Sequence, residues 1–159
     1  LVRMASDDVG LADPNALRLA LAAKETIGFL SVPEGELALA ECTVYLAVAP
    51  KSNKIYEAWG AARKDAETHN AAEVPLHLRN APTGMMKNLG YGQAYAYYFD
   101  DPEGSFAQSY FPETLKEKQY YKAGVEGWES KVQTRLAELR RLREEARNQK
   151  GRHGDKGTR

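Results

Sequence analysis

The sequence predicts an all-α fold, and three observations lead there. Apolar residues recur three or four positions apart through successive segments of the 159-residue chain, which is the period of one helix face. Proline, glycine and serine separate those segments at places that start or stop helices. The one stretch that alternates like a strand, Val74-Pro75-Leu76-His77-Leu78, contains a proline that a central strand does not tolerate.

Leu1 to Val9 reads as a helix, with Leu1, Val2, Met4, Ala5 and Val9 apolar and Gly10 as its stop. No capping residue precedes it and there is no initiating methionine, so the natural protein is expected to extend upstream. Asp13-Pro14 starts the next helix, with Asp as N-cap and Pro at the first helical position. It runs to about Leu30, and Leu17, Ala20, Leu21, Lys24 and Ile27 form its stripe. Ser31 and Pro33 repeat the start signal. In the helix that follows, Leu37, Ala40, Val44 and Val48 keep helical spacing, while Leu39, Tyr45, Leu46 and Ala47 widen the apolar surface. A helix apolar around so much of its circumference is expected at the centre of the domain. Pro50 ends it.

A third helix of this series starts near Ser52 and runs to about His69, with Ile55, Trp59, Ala62 and Ala66 as its expected buried stripe. Asn70 to Pro82 breaks the pattern, and Val74 to Leu78 is read as a weakly extended piece. Thr83 to Leu89 can form a short helix with Gly90 after its end. Tyr91 to Pro112 holds Tyr91, Tyr95, Tyr97, Tyr98, Phe99, Phe106, Tyr110 and Phe111. So aromatic a stretch is read as a long ordered loop whose rings bury against the helices. A long amphipathic helix then runs from about Val125 to Asn148 on Val125, Trp128, Val132, Leu136, Leu139 and Leu142. The resulting division is a helical domain over 1–148 and a basic disordered tail over 149–159.

Apolar residues make up 43% and charged residues 28%, the balance of a globular domain. No stretch approaches the roughly 20 apolar residues of a membrane helix, so no membrane role is expected. The net charge of zero hides an asymmetry. Ten Lys/Arg against four Asp/Glu from Lys131 onward give +6, leaving −6 on residues 1–130. A basic arm on an acidic body attracts phosphate backbones or is simply solvated.

The residues that would carry catalysis are few. No Gly-x-x-x-x-Gly-Lys-Ser/Thr loop cradles a phosphate. One cysteine and three scattered histidines, His69, His77 and His153, are a poor zinc set. Cys42 lies in the most apolar helix and is read as a buried structural thiol rather than a reactive one. Glu73 and His77 could form an acid–base pair, with nothing else converging on them.

Three longer strings are unusual for a generic helical domain. The first is Pro33-Glu34-Gly35-Glu36, leading through Tyr45-Leu46-Ala47 to Ala49-Pro50-Lys51-Ser52-Asn53. The second is Val74-Pro75-Leu76-His77-Leu78-Arg79-Asn80-Ala81-Pro82-Thr83. The third is Leu89-Gly90-Tyr91-Gly92, followed by Tyr110-Phe111-Pro112. With Met4-Ala5-Ser6-Asp7-Asp8-Val9-Gly10-Leu11-Ala12-Asp13-Pro14, they resemble over residues 1–140 the C-terminal region of the replication-associated recombination protein A family, which includes the eukaryotic Werner-helicase-interacting proteins.

The resemblance implies a compact helical domain like the clamp-loader C-terminal oligomerisation domain. It implies an AAA+ ATPase core and lid upstream, where ATP and Mg²⁺ bind, and no cofactor in this fragment. It implies assembly into a homotetramer, and a DNA-dependent parent acting in replication, recombination and repair at stalled forks. Such a protein would be cytoplasmic and associated with the nucleoid. Single-strand-binding protein and the sliding clamp are candidate partners left open. No catalytic residue carries over.

Lys51, Ser52, Asn53, His77, Arg79, Asn80 and Lys87 are the candidate contacts to another subunit or to DNA. For the first three, a specified turn between two helices is the simpler reading, with Lys51 and Asn53 free to add carbonyl-capping or partner contacts. For His77, Arg79 and Asn80, satisfaction of buried carbonyls or a subunit contact competes with a phosphate contact through Arg79. The alternative to an assembly domain is a DNA-binding module built on the basic 131–159 arm. A small enzyme centred on Glu73 and His77 is the third reading.

Overall fold

A computed structural model of the chain describes residues 1–154. Among them every regular element is helical and no strand occurs, as the periodicity predicts. The helices are α1 (Val2–Met4), α2 (Asn15–Leu30), α3 (Glu34–Val48), α4 (Lys54–Thr68), α5 (Gly84–Asn88), α6 (Pro102–Ala107) and α7 (Glu129–Gly154). The chain divides into two units. One comprises Leu1–Asp65 with Gln119–Arg135, the other Ala66–Lys118 with the chain from Leu136 on.

In the first unit, α1 continues into a wide helical turn over Ala5–Val9 and a tight one over Gly10–Ala12. Gly10 sits at φ 54°, and a Cβ there would stand 2.9 Å from the Ser52 carbonyl. Glycine is therefore what lets the chain reverse against the α3–α4 corner, where Ser52 N–H donates to the Asp8 carbonyl at 2.8 Å. Asp13 starts α2 as expected. Its carboxylate accepts from Asn15 N–H at 3.0 Å.

The core lies between the Ala5–Val9 turn, α2 and α3. It consists of Ala5, Val9, Ala16, Ala20, Ala23, Cys42 and Leu46. These are mostly small residues, so the helix backbones approach closely. A Cβ on Gly35 would come within 2.7 Å of Ile27 Cα. The buried stripe of α2 is thus Ala16, Ala20 and Ala23, rotated from the expected Leu17–Leu21 stripe. Both leucines are exposed. On α3 the buried positions are Gly35, Cys42 and Leu46. Its larger residues Leu37, Val44 and Val48 face out, at 74%, 66% and 79% exposure. On α4 no residue is buried, and Ile55 and Trp59 are exposed.

In the second unit, Val74 to Leu78 is not extended. Leu76–Leu78 forms a tight helical turn, closed by Leu78 N–H to Pro75 O and Arg79 N–H to Leu76 O. Thr83 caps α5 through Met86 N–H at 3.3 Å, and Gly90 follows at φ 83°, as the sequence predicts. The aromatic stretch is not all loop. Asp101 accepts from Gly104 N–H at 2.9 Å and starts α6. Helix α7 begins at Glu129, four residues after Val125, and continues to Gly154, beyond Asn148. The expected tail from 149 is therefore helical as far as 154, and 155–159 lie outside the described residues.

Candidate functional site

The corner between α3 and α4 is built from side chains that cap helices. Ala49 takes extended geometry ahead of Pro50, which releases the last carbonyls of α3. Lys51 Nζ turns back and donates to one of them, Leu46 O. Ser52 Oγ accepts from Lys54 N–H at 3.2 Å at the start of α4. Asn53 Nδ2 donates to Glu57 at 2.9 Å, and Lys54 pairs with the same carboxylate at 3.0 Å. Lys54, ahead of Asn53, holds the Glu57 carboxyl below its usual pKa.

The 73–92 segment ties itself together around Arg79. Its guanidinium donates to Val74 O at 2.6 Å, to the Tyr91 hydroxyl at 3.2 Å and to the Glu73 carboxylate at 2.5 Å, and lies 5.1 Å from the Tyr91 ring centre. Three donors and a ring face are thereby spent within the unit, and the hydrogen bond to Glu73 raises the pKa of Arg79 further. His77 Nε2 bonds to Ser109 O at 2.9 Å. Glu73 and His77 therefore serve different partners and do not form a pair. Asn80 and Lys87 are exposed. The structure thus gathers Lys51, Ser52 and Asn53 at one corner and places Arg79 within the 73–92 segment, while His77 reaches across to Ser109.

The feature missed by reading each helix as having one inward face is the apolar surface left outside. Leu17 and Leu21 on α2, Leu37, Val44 and Val48 on α3, and Ile55 and Trp59 on α4 are all exposed. Single exposed apolar residues are ordinary, but here three successive helices each carry an exposed apolar stripe. The signal was available in the sequence, because α3 is apolar on more faces than one neighbour can cover.

On α7 the basic residues are partly committed. Arg143 pairs with Glu117 and donates to Gln108 O at 3.2 Å. Arg147 pairs with Glu117 at 2.6 Å, and Arg141 with Glu145 at 3.2 Å. Cys42 is fully buried, as read from its helix. Among the described residues no three His, Cys, Asp or Glu side chains converge to hold a metal ion. No helix of the described residues is long and apolar enough to cross a membrane.

Three tyrosines donate to carboxylates within the first unit: Tyr45 to Asp13 at 2.5 Å, Tyr120 to Asp65 at 2.7 Å and Tyr121 to Glu129 at 2.6 Å. All three phenols are held above their usual pKa. Burial is the main cause for Tyr121, and the hydrogen bond is the main cause for Tyr45 and Tyr120. A pKa raised on folding stabilises the fold fully below the unfolded value of about 10, and the contribution disappears as pH rises through the folded value. The urea midpoint is therefore expected to hold steady up to about pH 9.5 and to fall above about pH 10. Tyr121→Phe should flatten part of that fall. A wild-type midpoint unchanged up to about pH 12 would refute the linkage.

A family model described as the MgsA AAA+ ATPase C terminal matches residues 1–140. Replication-associated recombination protein A of Coxiella burnetii is 48% identical over 146 residues, covering 91% of this chain and 33% of the relative. The protein of that name in Escherichia coli K12 is 45% identical over 137 residues, covering 86% and 31%. ATPase WRNIP1 of Dictyostelium discoideum is 46% identical over 123 residues, covering 76% and 14%. The chain spans about a third of the length of the bacterial relatives.

Proposed function

This chain belongs to the family of MgsA AAA+ ATPase C-terminal domains, and from that premise we propose that it is the tetramer-forming domain of a DNA-dependent ATPase of replication, recombination and repair. In this reading the rest of the polypeptide binds ATP and Mg²⁺ and contacts DNA at stalled forks. The parent works in the cytoplasm beside the nucleoid. This domain holds the ATPase modules in fixed register and performs no chemistry.

One observation carries the reading: the apolar stripes on α2, α3 and α4 are open to solvent in a single chain. Water contact of that kind is relieved when copies pack face to face, as in an obligate interface. Closed tetramers are commonly built from two-fold contacts in which a patch meets its own copy. Light scattering of the purified chain at high micromolar concentration tests this. A mass four times that of the chain is expected, and a strictly monomeric chain would overturn it.

The basic character of α7 supports a second reading, in which the arm binds DNA. With Arg143 and Arg147 tied to Glu117, fewer free cations remain than the sequence offers. If the arm binds duplex DNA, log affinity falls with log salt at about −0.9 per neutralised phosphate. Removal of residues 149–159 should reduce that slope, and an unchanged slope and affinity would rule the arm out.

A further inference from the structure

The stretch 91–113 holds eight aromatic residues and the carboxylates Asp100, Asp101, Glu103 and Glu113, with no lysine or arginine. Dense aromatic residues usually sit in a core. Here the rings of 97–99 project instead: Phe99 is 77% exposed, and Tyr97 and Tyr98 are about half exposed. The backbone fixes the projection. Asp100 and Asp101 N–H groups both donate to Tyr97 O, at 3.0 and 2.7 Å, and Asp101 caps α6. The rings brace one another, with Phe99 5.5 Å from Tyr97 and 5.4 Å from Tyr98, and Tyr98 6.1 Å from Phe106. Asp100 and Glu103 stand exposed beside them. Among the described residues neither has an ionic partner.

Exposed, pre-ordered rings suit a flat ligand group, and the surrounding charge selects which one. Bases stack on such rings, but single-stranded nucleic acid also needs a cationic path for its phosphates. The charges within Tyr97–Glu103 are carboxylates. Of the α7 cations beside the segment, Arg143 and Arg147 are paired with Glu117, which leaves Lys150 near Asp101 and Glu103. A guanidinium satisfies both features, because it stacks on ring faces and pairs with carboxylates. The second unit already holds its own Arg79 in this way, against the Tyr91 ring and the Glu73 carboxylate.

We infer that the Tyr97–Glu103 projection is a docking surface for a cationic, arginine-bearing peptide segment of a partner protein. This does not depend on the tetramer reading, which rests on other helices. The test titrates a short fluorescent arginine–glycine repeat peptide against the whole chain and follows its anisotropy. Binding is expected at low salt and should be largely lost at high salt, where exposed pairs are screened. Phe99→Ala, and separately Asp100→Lys with Glu103→Lys, should each weaken it by about three- to fivefold. A lysine–glycine peptide should bind more weakly, and oligothymidylate should not displace the probe. Circular dichroism checks that the variants remain folded. Absence of binding, wild-type affinity retained in either variant, or displacement by oligothymidylate that depends on Phe99 overturns the proposal, the last in favour of nucleic acid.

Discussion

Val44→Asp is expected to convert the proposed tetramer into smaller species while leaving the fold of the subunit intact. Val44 is 66% exposed and lies on the same face of α3 as Leu37 and Val48. In a lone chain a carboxylate at that position stays in water and costs little, since surface changes usually fall within about 0.5 kcal/mol. In an assembled face the same carboxylate would be dehydrated with no cation built to meet it, which costs several kcal/mol. A two-fold contact carries the substitution twice. The dissociation constant should therefore rise by roughly two orders of magnitude or more, since each 1.4 kcal/mol is about tenfold. Sedimentation velocity across a dilution series reads the shift, and circular dichroism reads the fold. If the variant keeps the wild-type mass at every concentration, the α3 face is not the contact. If it loses its helicity, Val44 belongs to the core and the exposure argument fails.

The placement of this face explains what the sequence disclosed and what it withheld. Punctuation was legible because it is chemistry local to a few residues: Asp13-Pro14, Pro50, and Thr83 with Gly90 all stop or start helices where expected. Asp101-Pro102 carries the same signal as Asp13-Pro14, and α6 was masked only by the aromatic density around it. The inward faces were not legible. Periodicity reports which face of a helix is apolar, but it does not say which of two apolar faces meets a neighbour. Close backbone approach between α2 and α3 selected alanine, glycine and cysteine for the contact and left Leu17, Leu21, Val44 and Val48 outside. The roles of Lys51 and Arg79 were legible only as one of two alternatives, carbonyl capping beside a partner contact, for a related reason. Each donates to a main-chain carbonyl, Leu46 O and Val74 O, and a carbonyl has no sequence signature. The family strings were legible because they recur together over residues 1–140, the extent that the family model matches.

Leu46→Ala, two positions from Val44, is expected to do the opposite and destabilise the subunit by about 3 kcal/mol, within the range of about 2–5 for leucine-to-alanine changes in cores. Leu46 is fully buried and is the largest of the fully buried side chains. The rest of its buried cluster is Ala5, Val9, Ala16, Ala20, Ala23 and Cys42, with Met4, Leu19, Ala38, Leu39, Tyr45 and Ala49 partly buried against it. The short side chains of the buried cluster cannot swing into the vacated space, and the helix backbones are already in close contact at Gly35. The cavity therefore persists, and its cost adds to the lost transfer energy of the removed methyl groups. For a chain of this size the melting temperature should drop by roughly 6–12 °C, read by calorimetry at one fixed low concentration so that assembly does not contribute. Leu37→Ala, on the outward face of the same helix, is the matched control and should shift the melt by no more than about 2 °C. A Leu46→Ala melt within that same small range would mean that the core between α2 and α3 relaxes freely, and the account of why α3 has one inward and one outward apolar face would fall with it.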